Sequence, residues 1–456
     1  MAALAVVAAC NSTALPNPPP TNQFYWPSGL VFAPGGPNGP SDGTLFVVNA
    51  NFDRRFDNGS LVALNLSQVG TGPDGGLPPF GAPVPPTGPK QITALNLSAN
   101  AVAPIASFGA ILAAAPLADG GTRLFVPARS EGHYVFAVDA VLPSAPTEQP
   151  QLFCVRPENF DGGTFNPKDC RNAGMTTMAN LYVGNGLPRA PAPYAVAISK
   201  DGNAYVTHLQ NADSPVNSTL DPTAYIVKIN VEHPQITNDS FINVFTGGTD
   251  SIVAGKKWVY ATGRYFVPIA YLLRMVDADN DFIDPGVENP VKSLESRGVA
   301  LSSDESRVYI AGRSPDVLIV CSIEGADTDS PLVKGMHTTQ LPASPDQLVA
   351  IPRPGRSDLI VIVSSAVGTV SFYDDDLGSL VGQVAGVGQE PFALAVDPRD
   401  GMSARLYVSN FTDGRVAVID VPDLTRPDQA RIVADLSAKQ LCMTQGTAGG
   451  ACDGGT

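Results

Sequence analysis

Residues 277–288 of this 456-residue chain read DADNDFIDPGVE. Asp277, Asp279, Asp281 and Glu288 stand at positions 1, 3, 5 and 12 of that stretch, the spacing at which an EF-hand-type loop offers oxygen ligands to calcium. Phe282 occupies the place where such a loop turns on glycine, so the same residues also read as a solvated acidic loop. A structural calcium is the one cofactor the sequence suggests; otherwise none is expected. A second candidate is a column of arginines closing three similar strings: Arg129 in VPAR, Arg264 in ATGR and Arg313 in IAGR. Three guanidiniums at one place could grip an anion, or a partner's carboxylates, bidentately. Alternatively each pairs with an acidic neighbour, near Asp139, Asp277 or Asp316.

Other chemistry is thinly supplied. His133, His208, His233 and His337 are the 4 histidines, too scattered to read as a catalytic zinc or copper set. No HExxH, GxSxG, Walker or GxGxxG string stands in a supporting context, and no catalytic residue is assigned. Of 6 cysteines, Cys154 and Cys170 bracket a Gly/Asp-rich loop, and Cys442 and Cys452 a Gly-rich tail. Both pairs read as local disulfides of an oxidising compartment. Cys321, inside DVLIVCSI, reads as a small buried strand residue.

With 28 basic and 43 acidic residues the formal charge is −15, so nucleic acid is not an expected partner, its phosphates lacking their cations. The chain carries 44 Gly and 42 Pro, which disfavours helices and suits many short strands joined by turns. One strand string recurs: LFVVN (45–49), LFVPA (124–128), AYVTH (204–208), VYATG (259–263), VYIAG (308–312), IVIVS (360–364) and LYVSN (406–410). Each is followed by a strand ending in a small polar residue, from Asn65 to Asp420, and most follow an apolar strand such as ALAVD (393–397). Weaker segments such as 379–386 and 431–437 fit as fourth strands. Four antiparallel strands repeated at this spacing predict an all-β, seven-bladed β-propeller of four-stranded blades over 24–437.

The run EPFALAVDPRDG…RLYVSN…GRVAVIDV resembles the YVTN family of β-propeller repeats, LYVSN standing where the family has its name motif. The resemblance covers roughly residues 24–437 and implies the propeller fold while saying little about activity. Val7-Ala8-Ala9-Cys10 resembles the lipobox of bacterial lipoproteins, which implies residues 1–10 as a signal-peptide remnant with lipid on Cys10, and 11–23 as a tether. The chain is then expected to be an outer-membrane lipoprotein facing periplasm or cell surface, touching the membrane only through that lipid. Insertions are expected at about 66–105 and 140–190. The first contains 70–89, with six Gly and seven Pro, read as a surface loop of PPII character. Residues 438–456 form a disulfide-stapled tail.

The function these features suggest is a non-catalytic scaffold or protein-binding module for another envelope or surface protein. The alternative, by analogy alone, is a channel-site enzyme such as a lactonase-like hydrolase, with a channel-cofactor oxidoreductase behind it.

Overall fold

A computed structural model of the chain describes residues 17–436, apart from 36–38, 40, 71–74, 94, 119, 131–133, 158–164, 172–180, 182–191, 210–223, 245–247, 264–272 and 286–294. The described residues form seven sheets, six of four strands and one of five, and these are the blades of a seven-bladed propeller. The first strands are Pro27–Ala33, Ala113–Pro116, Pro193–Ile198, Thr249–Ala254, Glu295–Leu301, Pro345–Arg353 and Pro391–Pro398. From blade two to blade seven and back to blade one, each packs on the first strand of the next. Blades one and two are joined where Ser28 Oγ donates to the Gly109 carbonyl at 2.6 Å. The first strands are therefore the inner ring.

Every name-motif string lies in the second strand of its blade, and the reason for its apolar character is visible in the last copy. Ala404–Asn410 is buried at every residue. Successive side chains leave a strand on opposite faces: Tyr407 joins the core with Leu45 and Val47 of blade one, while Leu406 and Val408 join Val361 and Val363 of blade six. A strand covered on both faces needs apolar residues on both, each contributing roughly 1.5–3 kcal/mol on burial. Cys321 is one of these core residues, and burial pushes its thiol up to about 12.

The Gly/Pro-rich segment 70–89 differs from its expected form. Its residues 75–89 are described, and they strap the last blade to the first. Leu77 and Val84 pack against the core shared by those two blades. Arg405 donates to the Pro78 carbonyl at 3.0 Å, the Gly81 amide donates to Asp420 at 2.8 Å, and Arg431 donates to the Gly81 carbonyl at 2.6 Å. Phe80 lies under both Arg399 and Arg405. Lys90–Ile92 then adds a parallel fifth strand beside Arg431–Leu436 of blade seven. Composition made this segment a poor strand former; it packs because charged groups of blade seven supply hydrogen bonds that its own backbone lacks. The far end of the expected 66–105 insertion is also part of the ring, since Val102–Ile105 is the outermost strand of blade one.

The 140–190 insertion begins in the same way. It contains Gln151–Cys154, the outermost strand of blade two, and the disulfide Cys154–Cys170 follows directly. Cys10, Cys442 and Cys452 lie outside the described residues, as do the tether residues before 17.

A polarised mouth at one end of the ring

Antiparallel pairing sets the end of each second strand beside the beginning of the first. In six blades that beginning carries the same irregularity: the register shifts between Pro27 and Gly29, Pro193 and Val196, Thr249 and Ile252, Ser296 and Val299, Pro345 and Leu348, and Pro391 and Leu394. A bulge leaves residues out of the ladder and re-aims their side chains. The residue that follows the last pair before each shift is Ser28, Tyr194, Asp250, Arg297, Asp346 and Phe392 in turn. These six share one end of the ring.

The bulge also leaves backbone groups to satisfy, and the name motif does so. The Ala195 amide donates to Thr207 Oγ1 at 3.0 Å, and Thr207 donates onward to the Asp250 carbonyl of the next blade at 2.6 Å. Thr262 repeats the arrangement between the Ser251 amide and the Arg297 carbonyl, at 3.0 and 2.8 Å. Ser409 accepts from the Ala393 amide at 2.9 Å. The small hydroxyl residue of the motif thus satisfies one blade's bulge and, in blades three and four, ties it to its neighbour. Gly298 allows the close approach of blades five and six here, because a Cβ on it would stand 2.3 Å from the Asp346 carbonyl oxygen.

A cavity of about 200 Å³ opens at this end. One wall is aromatic: Phe52, Phe108, Phe392 and Phe411 line it, with ring centroids 5.4 Å apart for Phe52–Phe108 and Phe52–Phe411 and 5.8 Å for Phe392–Phe411. Trp26 leans on the same group, 5.0 Å from Phe411 and 5.9 Å from Phe52. Phe52 is 49% exposed, a large apolar side chain held at a rim. A second stretch of the wall carries Arg129, Tyr194 and Arg297, the Arg129 guanidinium standing 5.1 Å over the Tyr194 ring.

Carboxylates stand behind that second wall. Arg297 donates to Asp250 at 3.2 Å and to Glu295 at 3.3 Å. Arg313 donates to Asp346 at 2.5 Å and to the Pro345 carbonyl at 2.9 Å. Asp346 is buried, and burial pushes its carboxyl up to about 6 against the opposing pull of Arg313 and Arg297. Burial first, then Asp250 and Asp346, also holds the Tyr194 hydroxyl above the ordinary phenol range.

The Asp346 shift has a measurable sign. An unfolded Asp titrates near 4, so the folded chain holds this proton more tightly, and the associated stability is full below about pH 4 and lost as pH rises through about 6. The stability of the wild type relative to Asp346→Asn is therefore expected to fall between those values and to level off above them, in urea titrations across a pH series. A relative stability that rises through the interval would mean that the Arg313 pair, not burial, governs this carboxyl.

The predicted arginine column divides. Arg129 lines the cavity, Arg313 serves Asp346, and Arg264 lies outside the described residues. The pairing alternative thus holds for Arg313, with Asp346 rather than Asp316 as the acid. Arg297, which lines the cavity with Arg129, stands outside that column. Its signal was the position at which the first strand's register shifts, the same position that holds Tyr194 and Phe392. Trp26 packs at the rim of this mouth.

The acidic stretch at 277 has a different geometry from an EF-hand loop. Asp277 is buried and accepts from the Asp279 and Asp281 amides at 3.0 and 2.9 Å, closing the turn into Phe282–Ile283, the fourth strand of blade four. Glu288 lies outside the described residues. Among the described residues no group of three or more His, Cys, Asp or Glu side chains is placed to hold a metal ion. Of the histidines, His208 is buried in its strand, His337 bonds the Tyr373 hydroxyl at 2.6 Å, and His133 is outside the described residues.

No family model matches the chain, and no curated protein matches it. Among solved structures it is similar to Kuenenia stuttgartiensis hydrazine synthase, with 15% identity, 88% of this chain and 97% of that chain covered, and a TM-score of 0.49. It is similar to apo AztD from Citrobacter koseri, with 12% identity, 88% and 85% coverage and a TM-score of 0.42. A functionally unknown protein from Desulfotomaculum acetoxidans gives 12% identity, 71% and 88% coverage and a TM-score of 0.44. The propeller assignment rests on the chain's own seven sheets.

Proposed function

We propose that this chain is a non-catalytic binding module of the bacterial cell envelope, held at a membrane by lipid on Cys10, and that the polarised mouth receives its partner. The observation that carries the reading is the placement of Phe52, half exposed, among aromatic rings that line one cavity together with Arg129 and Arg297. Exposed aromatic and arginine side chains around a concavity are the residues that dominate binding energy at protein interfaces. A rigid ring that presents them from several blades suits recognition. The YVTN-type repeat and the lipobox resemblance add an envelope address, with another envelope or surface protein as partner. A calcium ion at 277–281 is not needed by this reading.

The test is capture from solubilised envelopes by wild-type chain and by Phe52→Asp, with quantitative mass spectrometry. One protein enriched by the wild type and lost with Phe52→Asp is the expected result. Enrichment indifferent to that substitution, or turnover of lactones by the purified chain, would overturn the reading in favour of another surface or of the hydrolase alternative. Incorporation of an alkyne-tagged fatty acid, abolished by Cys10→Ser, is the expected result for the anchor.

A further inference from the structure

We infer that the mouth is built for a small apolar carboxylate, an acid whose body is about the size of a benzene ring; this rests on the reading of the mouth as a binding site. Size is the first argument. A dry apolar cavity of about 150 Å³ accepts benzene, and the mouth encloses about 200 Å³. That leaves room for one ring or a short branched alkyl group plus a head group. Shape agrees, since Phe52, Phe108 and Phe411 meet edge-on, with interplanar angles of 89° and 68° about Phe52. Such a wall suits a flat apolar body, which can meet these rings edge to face.

Charge decides the head group. Among the described residues the charged side chains that line the cavity are Arg129 and Arg297, and the carboxylates paired with Arg297, Asp250 and Glu295, do not line it. A ligand entering from solvent therefore meets guanidinium donors, with the carboxylates that balance them set back. Guanidiniums favour carboxylates through charge-assisted bonds, and Asp250 and Glu295 hold Arg297 in place without themselves lining the cavity. An ammonium ligand would face the wrong sign. A neutral one would fill the aromatic side and form no charge-assisted pair with the arginines.

Two probes on the wild-type chain test this without any variant. Phenylacetate and phenylacetamide share a ring and a length and differ in charge. Binding is followed by calorimetry and by the emission of Trp26, which touches the aromatic wall. Phenylacetate is expected to saturate a single site per chain, with phenylacetamide at least about tenfold weaker, the usual advantage of a hydrogen bond to a charged group. Arg129→Gln should weaken phenylacetate by a similar factor and leave phenylacetamide unchanged, with circular dichroism confirming the fold.

Equal affinity for the two probes would overturn the carboxylate assignment. So would absence of saturable phenylacetate binding at millimolar concentration. If phenylacetate fails while envelope capture still depends on Phe52, the ligand class is wrong and the binding-module reading stands. If both fail, the mouth is not the site.

Discussion

Arg405→Met is expected to cost about 3–5 kcal/mol of stability, the usual consequence of stranding one member of a buried ion pair. Arg405 and Asp420 are almost completely buried, joined at 2.7 and 3.1 Å. Each also holds the strap, Arg405 through the Pro78 carbonyl and Asp420 through the Gly81 amide. The substitution should therefore do two things at once: lower the urea midpoint, and expose the strap amides to hydrogen exchange. The double variant Arg405→Met/Asp420→Leu should recover much of the stability, because replacing both charges removes the desolvation problem. It should not recover protection of residues 81 and 90–92, since the acceptor for Gly81 is gone. Unchanged exchange at those amides in both variants would show that the strap is held by packing alone.

The second large effect is expected at the disulfide. Cys154 closes the outermost strand of blade two, and its amide donates to the Pro167 carbonyl at 2.7 Å. The Cys170 amide donates to the Pro104 carbonyl of blade one at 3.2 Å, and Cys170 is fully buried in the core shared by these blades. The bridge spans 16 residues, for which constraint of the unfolded chain predicts about 3 kcal/mol. Cys154→Ser/Cys170→Ser, and reduction of the wild type, should each lower the unfolding free energy by about that amount. Dithiothreitol should then have no further effect on the double variant through this bond. Equal stability of reduced and oxidised wild type would mean that packing at Cys170 already orders the loop.

Much of the fold was legible in the sequence because the repeat encodes it redundantly. The name-motif strands must be apolar on both faces, so LYVSN and VYIAG stand out in any register, and the fourth strands at 379–385 and 431–436 fell where the spacing left room. The strap was not legible. Its proline and glycine content describes an unpaired segment correctly in local terms, and only blade seven, some 340 residues later, supplies the groups that hold it.

The mouth was half legible for a related reason. Arg129 was visible in a column that follows a strand. Arg297, Tyr194 and Phe392 are separated by many residues and share no side-chain type; they converge because the same bulge recurs. Position within a blade, not similarity of residue, is what brings them together.

The strap also has a consequence for how the ring is made. Lys90–Ile92 is synthesised early, and its partner Ala434–Leu436 is among the last residues described. Joining them across a flexible chain would cost on the order of 5 kcal/mol in closure entropy alone. That cost shrinks only if the intervening blades are already stacked into an arc whose two ends face each other. The seam is therefore expected to shut last, after six blades have formed. Until then the growing chain presents the bare apolar face of its newest sheet, so the time between emergence of blade one and arrival of blade seven is when this protein is most open to association with a second copy of itself.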